Sequence, residues 1–422
     1  MRNIIRHLDL KSWFGGFPDA FNVFLLVHTS FLIFTRLPAI FINTMMMVPG
    51  EGIEAVLLYN ASLFAAGAVF MVVATYVLKK TGARFTTVIG ILSYLSLYLL
   101  IIALGSRAAQ FHLLIGLVNG FADGFYWLSY GQLLTSTLNS RERDRGLAVI
   151  NVIASLVSLV IPFLAGLLIR VIGGLSGYIT VMAIASVIAV ATCVLSVRLP
   201  NIRSGGEGAE KKTDFIAAVR VIRQKPLIFS ALMGQCSKGI REGAFAFMLN
   251  VALYQIIRDE FLIGVNTLLS SAAGILAYAY MSRAIRPDNR IRFMKISIIS
   301  LCFLAAAGAG LINPVMLILY SVVNAALIGP ILNGGYTVLL DTVTNEPAAK
   351  SRQPELLTLN DCFLVTGRCI GLTLIFIMGR LFGQSVQVHL ISLLLLSLTQ
   401  FLTIHFSGRA DRGVRSLPDY SR

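Results

Sequence analysis

Gly234-Gln-Cys-Ser-Lys-Gly-Ile-Arg-Glu-Gly243 lies inside an apolar stretch that runs from Leu227 to Tyr254. About 20 such residues suffice to cross a bilayer as a helix. Lys238, Arg241 and Glu242 fall near the middle of the stretch. Each charge at that depth costs about 2.5 kcal/mol or more to insert, so the three need partners, water or a task. On a helix they share one face with Gly234 and Gln235, because residues three and four apart are neighbours. Phe229, Met233, Cys236, Ile240 and Phe247 form the opposite face. The pattern is a membrane helix with an apolar back and a charged front.

The rest of the chain has the same character. Its 422 residues are 56% hydrophobic and only 13% charged, with a mean hydropathy of +0.80. Soluble domains carry about a quarter charged residues. Repeated apolar stretches of membrane-crossing length point to an all-α polytopic membrane protein, and they exclude an outer-membrane barrel, whose strands are short and alternate. The net charge of +15 is that of basic loops holding a membrane protein in place, so no nucleic-acid partner is expected. Cys193, Cys236, Cys302, Cys362 and Cys369 all fall in apolar segments without CxxC spacing, which fits buried apolar residues and neither disulfides nor a metal site. The first apolar segment is too long for a cleavable signal and lacks a small-residue cleavage site.

Twelve segments follow in order. A basic lead-in with Arg2, Arg6, Lys11 and Trp13 precedes six of them, which predicts a six-helix bundle over residues 1–197. Residues 198–225 form a polar linker. Its second part, Asp214-Phe-Ile-Ala-Ala-Val-Arg-Val-Ile-Arg223, has helical periodicity and a basic face, and so lies along the membrane surface. Six more segments fill residues 226–408, and a basic tail, 409–422, closes the chain. With the N-terminus inside, the inner loops hold 27 of the Lys and Arg residues and the outer loops hold only Arg107, Arg170, Arg258 and Arg380. That asymmetry predicts a multi-pass protein of the cell membrane with both termini cytoplasmic.

The six-plus-six arrangement, the linker with its basic amphipathic helix, and the short basic loops at corresponding places after segments two and eight resemble the major facilitator superfamily of secondary transporters. The family's loop after helix two reads close to Gly-x-x-x-Asp-Arg-x-Gly-Arg-Arg. Here Thr75, Lys79, Lys80, Gly82, Ala83 and Arg84 occupy those places, keeping the later glycine and a final basic residue. Arg141-Glu-Arg-Asp-Arg-Gly146 is similar to the family's basic loop after helix four. The resemblance implies two six-helix halves that rock around a mid-membrane cavity lined mainly by helices one, four, seven and ten. It also implies a monomer with a small-molecule substrate in a lipid bilayer, and no cofactor.

The sequence places its unusual residues on these segments independently. Asn22, Thr29, Arg36 and Asn43 recur every seven residues along segment one. Asn119, Asp123, Tyr126, Trp127 and Tyr130 share a face of segment four, where the aromatic rings can stack on a cargo. Segment ten carries Asn324, Asn333, Tyr336 and the kink signal Gly329-Pro330, and segment eleven carries Asp361 and Arg368. The expected substrate-binding residues are Arg36, Asp123, Tyr126, Trp127, Lys238, Arg241 and Arg368. Asp123 and Glu242 are the expected proton-coupling groups, since a carboxyl's proton affinity responds to burial and to neighbouring cations. His28, His112, His389 and His405 read as packing or interface residues. Four mid-depth cations face two anions, with Asp361 a third only if it lies deeper than the interface. Surplus Arg and Lys suits an anion, because a guanidinium matches carboxylate or phosphate with two prongs.

No Walker, HExxH or GxSxG pattern is present and no loop is long enough for a catalytic domain, which argues against an enzyme. The leading reading is a secondary transporter of a small organic anion or anionic-headed amphiphile, with proton coupling as an added expectation. Three alternatives stay open: a drug/proton antiporter, a lipid-linked precursor flippase, and a membrane scaffold or sensor that does not transport.

Overall fold

The computed structural model describes residues 16–46, 52–202, 213–257, 260–311, 313–383 and 385–417. The lead-in with Trp13, the glycine-rich part of the linker around Gly205 and Arg258 lie outside the described residues, as does the side chain of Asn43. The long helices are α1 (Asp19–Met46), α2 (Gly52–Thr81), α3 (Ala83–Leu104), α4 (His112–Thr137), α5 (Ser140–Ile172), α6 (Gly174–Ser196), α7 (Pro226–Ile257), α8 (Glu260–Ala284), α9 (Arg290–Gly310), α10 (Pro314–Asn345) and α11 (Gln353–Phe382). The twelfth segment is two helices, α12 (Val386–Leu398) and α13 (Gln400–Arg415), which meet at Thr399. A ten-residue linker helix, Phe215–Gln224, precedes α7. Among the described residues nine stretches are long and apolar enough to cross a membrane; one covers α3 with α4, and α7 and α8 are not among them.

The chain divides into two compact units, Met1–Asn139 with Ile153–Thr213, and Ser140–Val152 with Asp214–Arg422. In the first, α2 packs along α4, α3 bridges α4 and α6, and α1 lies against α6. The α2–α4 contact is backbone to backbone. A methyl on Gly116 would sit 2.5 Å from the Tyr59 carbonyl oxygen, one on Gly120 2.5 Å from that of Leu63, and one on Gly124 2.7 Å from the Met71 nitrogen. Glycines four apart fall on one helical stripe and let two backbones touch. The turn after α2 is tied down from beyond α6: Arg84 Nε donates to the Leu199 carbonyl at 2.5 Å, and the Ala83 N–H to that of Ile202 at 2.8 Å.

In the second unit α7 is central, packing on α10, α11 and α13. One apolar cluster gathers Phe245, Leu249, Leu301, Leu317, Tyr320 and Leu393; another gathers Ile228, Leu232, Val338, Leu339, Val343 and Leu356. The helices run past the apolar windows that mark them in the sequence. Arg143 and Asp144, expected as loop, are helical and buried, as is Asp341, and the last helix continues to Arg415. Their charges are compensated. Arg290 meets Asp341 at 2.6 Å, Asp411 at 3.0 Å and Asp144 at 4.0 Å; Arg143 meets Asp341 at 2.7 Å and Arg415 meets Asp411 at 2.6 Å. Burial of charge is tolerated when ions are paired this closely.

Candidate functional site

In the first unit the site is built on α4. Residues 119, 123, 126, 127 and 130 recur at spacings of three and four and so line one side of the helix. Asp123 is half-buried and held by two donors to the same oxygen: the Tyr94 hydroxyl from α3, and Trp127 Nε1 one turn on at 3.1 Å. Trp127 keeps 40% of its surface exposed, so an open indole borders an oriented carboxylate. Tyr126 turns inward. Its ring stacks on Phe31 with centroids 3.4 Å apart, and its hydroxyl lies 2.8 Å from His28 Nδ1. His28 is buried among Phe24, Phe31, Tyr126 and Tyr130, so this pair pins α1 to α4. Asn119 donates to the Tyr59 hydroxyl at 2.6 Å. On α1, Asn22 and Arg36 are exposed and Thr29 is half-buried.

In the second unit the three charges of α7 separate. Glu242 points to α11, where Arg368 Nη2 binds its Oε1 at 2.6 Å, and Lys238 Nζ lies 3.9 Å from its other oxygen. Lys238 also stands 5.9 Å from the centre of the Tyr336 ring on α10, and Asp361 is close enough to act on its charge. Arg241, the neighbour of Glu242, emerges about 100° around the helix, as adjacent residues must. Its Nη2 donates to Asn324 Oδ1 on α10 at 2.5 Å, and its guanidinium sits 3.7 Å above the Phe245 ring, which meets Tyr320 edge-on. Arg241 is 3% exposed, and among the described residues none of its partners is a carboxylate. Gln235, on the turn before Lys238, is fully buried, and neither amide atom has a hydrogen-bond partner among the described residues.

Glycine makes this arrangement possible. A Cβ on Gly367 would collide with the Cys236 carbonyl, and one on Gly371 with that of Ile240; a Cβ on Gly243 would sit 2.7 Å from that of Arg368. The α7 and α11 backbones therefore touch where Arg368 reaches Glu242. Lys238, Glu242 and Arg368 are brought together within this unit while Arg241 is directed to α10, and Asp123, Tyr126 and Trp127 are brought together within the other. Sequence reasoning missed Tyr94, Phe245 and the His28–Tyr126 bond. Each joins residues distant in sequence, and nothing local announces the pairing.

Comparison with known proteins gives the family. The model of the Major Facilitator Superfamily matches residues 20–371, most of the chain. The uncharacterized protein YqgE of Bacillus subtilis (strain 168) is 24% identical over 360 residues, covering 83% of this chain and 80% of that one. Among solved structures, the fucose:proton symporter FucP of E. coli superposes with a TM-score of 0.68 at 13% identity, over 93% of this chain and 99% of its own. The human organic anion transporter MFSD10 (TETRAN) gives 0.64 at 16% identity, over 91% and 97%. With its all-helical fold and its match from residue 20 to residue 371, the chain belongs to the Major Facilitator Superfamily, a multi-pass membrane transporter and not an enzyme.

Proposed function

We propose that this transporter moves a small organic anion, or an amphiphile with an anionic head, by alternating access, working as a monomer. Arg241 carries the reading. A guanidinium buried in a membrane helix is expensive unless compensated, yet among the described residues this one rests on a neutral amide, a ring and the Tyr320 hydroxyl. Elsewhere in the same unit Lys238 and Arg368 are offset by Glu242 and by the nearby Asp361. The described mid-helix residues of the second unit thus hold one positive charge more than they neutralise, and a carboxylate or phosphate of the cargo is the partner that restores balance. Arg36, Asp123, Trp127, Lys238, Arg241 and Arg368 are the proposed cargo contacts, with Tyr126 positioned behind Trp127 by His28 and Phe31. Asp123 and Glu242 are the proposed proton carriers. MFSD10, an organic anion transporter, and FucP, a fucose:proton symporter, are compatible with this reading.

The test is a thermal-unfolding screen of the purified protein against a panel of organic anions. A true cargo at a hundred times its dissociation constant stabilises by about 2.7 kcal/mol. Arg241→Gln is expected to insert normally and to lose that stabilisation. If anions stabilise the Arg241→Gln variant as well as the unaltered protein, the assignment of Arg241 fails. One observation favours a second reading: the open indole beside the Asp123 carboxylate is also what a lipophilic cation needs. Stabilisation by cationic dyes and by no anion, lost in Asp123→Asn, selects a drug/proton antiporter instead.

A further inference from the structure

The linker helix Phe215–Gln224 presents two unlike faces. Ala218 and Ile222 are buried, in the cluster with Ile228, Leu232, Val338, Leu339, Val343 and Leu356. Ile216, Val219, Arg220 and Arg223 follow one another at spacings of three, one and three, and so form a single stripe on the other side. All four are exposed, Ile216 to 77%. The helix is fixed in place. The Asp214 carboxylate caps it through the Ala217 N–H at 2.9 Å, a bond that holds this carboxyl below the usual carboxylate range. The Asp214 N–H in turn donates to Glu355 at 3.2 Å, and Lys225, just past the helix, pairs with Glu346 at 3.0 Å. Among the described residues neither Arg220 nor Arg223 joins an ion pair.

We propose that this stripe binds the headgroups of anionic phospholipids, with Arg220 and Arg223 on the phosphates and Ile216 and Val219 among the upper acyl carbons. The position and the composition agree. The helix sits where α7 begins, α11 begins and α10 ends, at the ends of the membrane helices of its unit. Bulk water offers an exposed isoleucine nothing, and the hydrocarbon core rejects two arginines. A face mixing both residue types fits the boundary between them. Anionic headgroups supply the charge that zwitterionic ones lack, at a gain of about fivefold in affinity per basic side chain. An acidic protein segment would satisfy the arginines and leave Ile216 and Val219 without an apolar partner. Lipid binding at this stripe does not depend on the cargo.

Hydrogen–deuterium exchange of the full chain in nanodiscs tests it. One set of discs holds phosphatidylcholine alone, the other phosphatidylglycerol as well. Exchange across residues 215–224 is expected to be severalfold slower with phosphatidylglycerol, and the difference is expected to shrink as salt rises. Arg220→Gln and Arg223→Gln are each expected to remove part of this slowing, and together to remove it. Ile216→Ser is expected to reduce protection in both discs. Glycerol phosphate added to neutral discs is expected to have no effect; protection by it would show a soluble anion and overturn the lipid assignment. Exchange in α2 and α4 is the folding control, and if the double variant fails it, the salt series on the unaltered chain decides. Equal exchange in the two discs, or a full lipid effect in a folded double variant, overturns the proposal.

Discussion

Two arginines show how this chain manages buried charge. Arg290, 1% exposed, has Asp341, Asp411 and Asp144 around it and belongs, among the described residues, to a network of three arginines and four aspartates. Arg241, 3% exposed, has among the described residues an amide, a ring and the Tyr320 hydroxyl. The first is paired with carboxylates; the second is the charge that we propose the cargo's anion meets. Replacing Arg290 by Ala strands buried carboxylates and is expected to destabilise by about 3–5 kcal/mol in thermal unfolding. Arg290→Lys should recover only part of this, since a point charge cannot bond several carboxylates in fixed directions. An unfolding temperature unmoved by Arg290→Ala would show that the network contributes nothing. Glu242 belongs to the other category, with Arg368 at 2.6 Å and Lys238 at 3.9 Å. If it carries protons, Glu242→Gln is expected to flatten the pH dependence of transport in proteoliposomes, and a profile unchanged in shape removes it from the coupling path. The charged face of α7 was legible in the sequence because its three charges interrupt an apolar run. The Arg290 network was not. Arg290 reads as part of a basic loop, and Asp341, which also takes Arg143, lies 51 positions from one arginine and 198 from the other. Pairing at such distances leaves no periodic trace.

Between elements, the deciding contacts are made by absent side chains. Gly116, Gly120 and Gly124 bring α4 onto α2, and Gly239, Gly243, Gly367 and Gly371 bring α7 onto α11. Hydropathy finds these helices and periodicity finds their polar faces, but neither says which helices touch. The four-residue glycine spacing does carry that information, as a stripe without side chains. What it leaves open is the partner helix, which only the folded packing supplies. Gly367→Ala should cost about 1–3 kcal/mol by overpacking against the Cys236 carbonyl. Because Arg368 is the next residue, the same substitution should also weaken binding of any stabilising anion, read in the same unfolding experiment with and without it. Gly308→Ala on α9 is the control: a Cβ there meets nothing within 4 Å, and better helix propensity should make it neutral or slightly stabilising. If Gly367→Ala behaves like Gly308→Ala, the close crossing of α7 and α11 is not what holds Arg368 to Glu242.

On the scale of the whole chain, the distribution of basic residues constrains which side of the membrane each loop occupies. The loops assigned inside hold 27 Lys and Arg residues, and those assigned outside hold four. Several of the inner residues have structural duties as well: Arg143 and Arg290 are buried in ion pairs, and Arg84 bonds a backbone carbonyl. A residue neutralised inside the fold adds little to the membrane-facing charge once folding is complete. Topology, however, is set during insertion, when these pairs have not formed and every basic residue near a segment end counts. The structural arginines and the orienting arginines can therefore be the same residues at different times. This predicts that a fluorescent protein fused after Arg422 emits in intact bacteria. Alkaline phosphatase inserted in the 3-10 turn Gly105–Phe111 should be active, and the same enzyme inserted between Arg283 and Arg290 inactive. Reducing the network's charge by Arg290→Gln should weaken folding without inverting this pattern, because the remaining inner residues still outnumber the outer ones severalfold. An inverted reporter pattern in the unaltered chain would overturn the orientation and move the linker helix, with its exposed Arg220 and Arg223, to the opposite leaflet.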